Sequence, residues 1–182
     1  ALSMKETGSL VQDTLVATVM SNLGLERFCQ AQEINFIRTP VGDRYVVEEM
    51  RAHGYNLGGE QSGHMILSDF STTGDGLMTA LQVLHLLKNS GQKSSELLNV
   101  FTPLPQLLKN VRYENGNPLE DAMVQSNIEQ IRQELNDHGR VLVRASGTEP
   151  VIRVMAEGDD HQEIESAVDK ICNAIEEASK TA

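Results

Sequence analysis

Residues 144–150 of this 182-residue chain read RASGTEP and lie between two apolar runs, VLV at 141–143 and VIRVM at 151–155. The β-branched runs around a tight Ser-Gly-Thr loop predict a hairpin. Its loop gathers groups that bind an oxyanion: the planar Arg144 guanidinium can grip two phosphate oxygens, and Ser146 and Thr148 offer hydroxyls. Gly147 lets backbone N–H groups come close to a ligand. The same residue types also serve simply to reverse a chain. Arg153 favours the phosphate reading, because an arginine inside an otherwise apolar strand needs an anionic partner or a solvated edge.

A second dense patch is GGEQSGH at 58–64. On an extended segment Glu60, Ser62 and His64 share one face, since strand side chains alternate with period two. A carboxylate, a hydroxyl and an imidazole together suit the vicinal hydroxyls of a sugar. Read singly, they are a solvated carboxylate, a turn serine and an interfacial histidine. A serine-hydrolase reading, with Ser62 as nucleophile and His64 as base, lacks both the Gly-x-Ser-x-Gly elbow and an orienting acid. Asp43-Arg44 reads as a surface ion pair and TTGDG at 72–76 as a helix cap, with one carboxylate where a hard cation wants several oxygens. No metal site is expected within this chain.

The elements that must position these groups follow from hydrophobic periodicity. Strand-like runs at 14–20 and 34–41 flank a short helix at 25–31, a helix follows near 45–53, and a strand near 63–67. A longer helix capped by Thr73 or Asp75 repeats Leu77, Ala80, Leu81, Leu84 and Leu87, which predicts one face of the first core. Residues 91–108, rich in Gly, Ser and Pro around one helical turn at 96–100, read as a linker. Beyond it come a strand at 111–114, a helix starting at Asn117-Pro118 and running through Val124, Ile128, Ile131 and Leu135, the hairpin, and a closing amphipathic helix from Ile164 to Ala178. The expectation is an α/β domain with a mixed sheet over 1–90 and a small α+β domain over 109–182, its helices on one face of the sheet.

A net charge of -11 and a pI near 4.8 argue against a nucleic-acid or membrane-surface partner, since both need a basic face. Any anionic substrate must then be held by a local basic pocket. No apolar run approaches the length that spans a bilayer, and the start carries no secretion pattern, so a cytoplasmic protein is expected. Cys29 and Cys172 lack the spacing of a zinc site or redox pair and read as buried reduced thiols. The first dozen residues read as the end of a helix and a loop, as in a piece of something longer.

Taken in order, VGDRYV at 41–46, GGEQSGH at 58–64, TTGDG at 72–76 and RASGTEPVIRVM at 144–155 resemble the α-D-phosphohexomutases over nearly the whole chain. VGDRYV and the Gln of GGEQSGH point to the branch acting on glucosamine phosphates, with mannose or glucose phosphate specificity and a stand-alone phosphosugar-binding module as alternatives. The resemblance implies a four-domain isomerase interconverting hexosamine 6- and 1-phosphates for UDP-N-acetylglucosamine and cell-wall synthesis. It further implies a phosphoserine and an Asp-rich loop holding Mg2+ in the first two domains. Neither motif is in this sequence, which looks like domains three and four, with the amino-terminal domains as partners, a homodimer left open, and no catalytic turnover alone. Carried over residue by residue, the resemblance makes Glu60 and Ser62 sugar ligands, His64 a sugar-side proton-transfer group, and Gly42 and Asp43 readers of sugar identity. Arg144, Ser146, Gly147 and Thr148 become the phosphate loop, while Ser21 and Asn22 fall where the first strand should face the cleft.

Overall fold

In the computed structural model, residues 1–181 are described apart from Asn115 and Thr148, and the chain divides into two units, Ala1–Pro103 and Leu104–Ala182. The first contains α1 (Leu2–Glu6), β1 (Thr14–Thr18), α2 (Leu23–Ala31), β2 (Asn35–Thr39), α3 (Asp43–His53), β3 (Leu57–Gly59), β4 (Met65–Leu67), α4 (Gly76–Ser90) and α5 (Ser94–Leu97). Its sheet has the order β2-β1-β3-β4, with β1 parallel to both neighbours and β4 antiparallel to β3. All five β1 residues are buried, as expected of a central parallel strand covered on both faces. Leu15 joins Cys29, Ile34, Leu57 and Leu67 on the α2 side. Val16 joins Val46, Met50 and Ile66 on the α3 side. Adjacent β1 residues therefore feed opposite layers of an α/β/α sandwich.

The second unit contains β5 (Gln106–Arg112), α6 (Ala122–Leu135), β6 (Gly139–Ala145), β7 (Val151–Gly158) and α7 (His161–Thr181). Its antiparallel sheet has the order β5-β7-β6. Val111, Val141, Ile152, Val154 and Ala156 point to one face and meet the apolar stripes of both helices, Val124, Ile128, Ile131 and Leu135 from α6 and Ile164, Val168, Ile171 and Ile175 from α7. Burying each such aliphatic side chain contributes about 1.5–3 kcal/mol. The alternate residues of each strand necessarily point away from the helices.

The mixed sheet, the hairpin and the one-sided helical layer match the expected fold class. The boundaries differ. The stretch 91–108 carries α5 and the start of β5, and the division falls after Pro103. Helix α6 begins at Ala122, capped by Asp121, whose Oδ1 accepts from the Met123 and Val124 amides. Asn117-Pro118 opens only a 3-10 turn, Pro118–Glu120. Helix α4 is capped by Asp75, one of the two candidates, yet it turns most of the predicted face outward: Leu77, Leu81 and Leu84 are 74%, 52% and 59% exposed, and of the five residues only Leu87 is half-buried. Its inward side is formed by half-buried Met78, Gln82, Val83 and Leu86. Because this helix is apolar on both sides, periodicity alone could not choose the core face.

Candidate functional site

Strands β1, β2 and β3 run parallel, so their carboxyl ends share one edge of the first sheet, where open α/β sheets bind ligands. Residues 40–42 leave β2 at this edge and residues 60–64 leave β3. Gly42 has φ +128°, a backbone conformation that L side chains rarely adopt. In that conformation its N–H donates to Glu60 Oε1 at 2.8 Å while it precedes α3. Glu60 thereby has one carboxylate oxygen fixed, and its side chain is only 10% exposed.

Glu60, Ser62 and His64 do converge, although not on an extended segment. The Glu60 N–H donates to the His64 carbonyl at 2.8 Å, and the Gly63 N–H donates to the Glu60 carbonyl at 3.0 Å, so the five residues form a tight turn between β3 and β4. That turn leaves Ser62 Oγ 3.1 Å from His64 Nδ1 and Glu60 Oε2 3.8 Å from the same nitrogen. Asp43, the first residue of α3, joins them: one ligand atom each from Asp43, Glu60 and His64 all lie within 4.8 Å of one another. The sequence placed Asp43, Glu60 and His64 together as sugar-side residues and expected no metal site; that their ligand atoms converge was not legible, because Asp43 and Glu60 meet only through the Gly42 contact.

Two carboxylates and an imidazole form a donor set that a transition-metal ion can take. Magnesium, implied by the family resemblance, asks for near-octahedral oxygen ligation. The imidazole does not fit it, and no other three-residue set converges among the described residues. Beside the turn, a cavity of about 990 Å3 within the first unit has Ser21, Asn22, Gly59, Glu60 and Gln61 in its otherwise mainly apolar wall. Asn22 is engaged in capping α2 by accepting from the Gly24 amide at 2.8 Å.

In the second unit the hairpin places Arg144 directly opposite Arg153, and Asn110 of β5 opposite Arg153 on its other side. Opposed residues of an antiparallel pair project to the same face, and like charges so placed repel. All three project away from the helices, because Ile152 and Val154 take the helical side. Partial burial, and secondarily the Arg153 charge, lower the Arg144 guanidinium below its ordinary value. Among the described residues, no carboxylate pairs with either arginine. The Ser146 N–H closes the loop by donating to the Val151 carbonyl at 2.7 Å. At Gly147 a Cβ would meet nothing within 4 Å and φ lies outside the left-handed region, so neither packing nor conformation demands glycine there. Thr148, the remaining residue expected in this loop, lies outside the described residues.

The first unit thus gathers two carboxylates, a hydroxyl and an imidazole around one turn, and the second opposes two arginines beside its hairpin loop. Residues 1–104 match the family model described as phosphoglucomutase/phosphomannomutase, alpha/beta/alpha domain III, and residues 108–174 match the phosphoglucomutase/phosphomannomutase C-terminal domain. The phosphoglucosamine mutase of Rhodopseudomonas palustris (strain BisA53) is 59% identical over all 182 residues, which cover 40% of its length. That of Afipia carboxidovorans is 59% identical over 96% of this chain and 39% of its own. The chain therefore spans about 40% of the length of the curated relatives it matches. Among solved structures, N-acetylphosphoglucosamine mutase of Aspergillus fumigatus superposes with a TM-score of 0.78 at 21% identity, over 98% of this chain and 42% of that one, a likeness of fold. With both family models matched in sequence order across nearly its whole length, the chain belongs to the phosphoglucomutase/phosphomannomutase family.

Proposed function

We propose that this chain is the substrate-holding part of a phosphoglucosamine mutase, which interconverts glucosamine 6-phosphate and glucosamine 1-phosphate. The observation that carries the reading is the Arg144–Arg153 opposition, which no carboxylate pairs among the described residues, beside a glycine that the fold itself does not require. Two facing guanidiniums cost stability until an anion lies between them, and a phosphate monoester supplies one. The relatives at 58–59% identity, together with VGDRYV and GGEQSGH, support glucosamine over glucose or mannose.

A mutase must hold its sugar in two opposed orientations, so one phosphate clamp and one set of hydroxyl contacts serve both. Arg144, Arg153 and the Gly147 backbone N–H hold the phosphate that is not reacting. Glu60 Oε2 accepts from a sugar hydroxyl, Ser62 Oγ donates or accepts, and His64 holds a proton against a ring oxygen substituent. Asp43 and Gly42 set the Glu60 carboxylate and border the sugar's identity-bearing carbon. We read the turn as a sugar site rather than a metal site, because Glu60 Oε1 is already committed to the Gly42 N–H and Asp43 sits at the positive end of α3. These residues orient the substrate and break no bond. The phosphoryl donor and the magnesium ion that stabilises charge during transfer would come from residues outside these 182. No helix of the described residues is long and apolar enough to cross a membrane, and two free, buried thiols fit a reducing compartment, so we place the protein in the cytoplasm.

Calorimetric titration of the chain with glucosamine 6-phosphate, glucosamine, glucose 6-phosphate and mannose 6-phosphate tests the reading. Saturable binding that needs the phosphate and ranks glucosamine 6-phosphate first, without isomerisation, is expected. Equal binding of free glucosamine would overturn the clamp, and a preference for mannose or glucose phosphate would overturn the specificity.

A further inference from the structure

We infer that Arg112 is a third phosphate-binding arginine, one that reads the second negative charge of a phosphate monoester. The inference rests on the clamp reading above and extends it to a residue with no motif of its own. Arg112 ends β5 opposite Val151, two residues from Arg153 along β7. In register, Asn110, Arg153 and Arg144 form one row across the sheet, and Arg112 starts the next row toward the loop.

The strand pattern fixes its direction. Leu107 and Val111 of β5 pack against the helical core, and Lys109 pairs with Asp169 of α7. Gln106, Leu108, Asn110 and Arg112 therefore project the other way, and all four are exposed. Arg112 thus shares a face with Arg153 and Arg144. Its diagonal separation from Arg153, about 7–8 Å at the backbone, is within reach of long side chains. The position is also anchored, since the Tyr113 N–H donates to the Pro150 carbonyl at 3.2 Å and ties the end of β5 to the base of the phosphate loop.

Charge balance strengthens the case. The chain has 26 acidic and only 15 basic residues, so carboxylates outnumber the cations that could pair with them. Even so, Arg112, Arg144 and Arg153 gather in two adjacent rows with no carboxylate partner among the described residues. Arg144 and Arg153 together already match the charge of a phosphate monoester, about -1.5 to -2 at neutral pH. A third guanidinium on the same face adds a donor fork for a further terminal oxygen and a surplus of positive charge, and both favour a dianionic ester over a singly charged one. The geometry therefore assigns Arg112 to discrimination between a phosphate ester and a singly charged ester of the same shape.

The test compares glucosamine 6-phosphate with glucosamine 6-sulfate, which keeps one negative charge, by calorimetry on the 182-residue chain and its Arg112→Ala, Arg112→Lys and Arg144→Ala variants. The chain is expected to prefer phosphate over sulfate by about tenfold, the lower end for one charge-assisted hydrogen bond. Arg112→Ala should remove most of that preference while leaving sulfate affinity within about threefold, and Arg112→Lys should restore part of it, because the charge returns without the fork. An unchanged phosphate-to-sulfate ratio in Arg112→Ala, with Arg144→Ala weakening both esters, would overturn this inference and leave the clamp standing. Failure of Arg144→Ala to weaken either ester would overturn the clamp itself.

Discussion

Replacing Glu157 by glutamine should loosen the second unit by far more than an isosteric change of one atom suggests. Glu157 is 0% exposed; its Oε1 accepts from Arg140 Nε at 2.5 Å and its Oε2 from Gln106 Nε2 at 2.7 Å. The three residues lie in one row across β5, β7 and β6, so the carboxylate ties all three strands on the face away from the helices. A glutamine amide can accept from only one of the two donors, and it aims its own N–H at the other. Breaking a fully buried pair costs about 3–5 kcal/mol. Arg140 retains 21% side-chain exposure, so water recovers part of this and the expected loss is roughly 2–3 kcal/mol. For a unit of about eighty residues that corresponds to a fall in Tm of roughly 8–24 °C. Thermal unfolding followed through the NMR methyl signals of Ile152 and Val154, which lie in the core of this unit, isolates it from the first. The double variant Glu157→Leu with Arg140→Leu should recover most of the loss, because an apolar pair leaves no charge uncompensated. A Glu157→Gln protein melting within 3 °C of the parent would refute the reasoning.

Two further outcomes follow from local features. Gly42→Ala should cost about 1–3 kcal/mol in the first unit, because φ +128° is strained for any side chain, and should weaken glucosamine 6-phosphate binding by releasing Glu60; a urea midpoint equal to the parent's would count against it. Burial raises the thiols of Cys29 and Cys172 to about 11, so at pH 8 only about one in a thousand of each is thiolate and iodoacetamide should label them only after unfolding. Since unfolding lets each thiol ionise at its ordinary value, their contribution is intact below about pH 9 and is lost as pH rises toward 11, which urea midpoints measured across that window would reveal.

Much of this was legible in the residues, and the failures have identifiable causes. Val124, Ile128, Ile131 and Leu135 announced α6 because its other side is polar, whereas α4 is apolar on both sides and its outward leucines looked like core. Strand β3 was passed over because two of its three residues are glycines, which carry no periodic signal. The helix start at Asn117 lost to Asp121, whose carboxylate reaches two amides. At the site, Glu60, Ser62 and His64 were legible by type, but the tight turn that gathers them depends on a Glu60–His64 backbone bond that alternation does not encode. Asp43 was named by resemblance, but its approach to Glu60 became visible only through the Gly42 contact, and Arg112 only through strand register.

The attachment of residues 40–43 and 60–64 to the carboxyl ends of parallel strands separates two design problems. Val16, Val46, Met50 and Ile66, which hold the sheet to α3, lie below that edge, and none belongs to either segment. Both segments can therefore be exchanged as a cassette between relatives without recutting the core. Changing one alone breaks the Gly42–Glu60 bond that joins them, so a graft that moves sugar preference must transplant the two together.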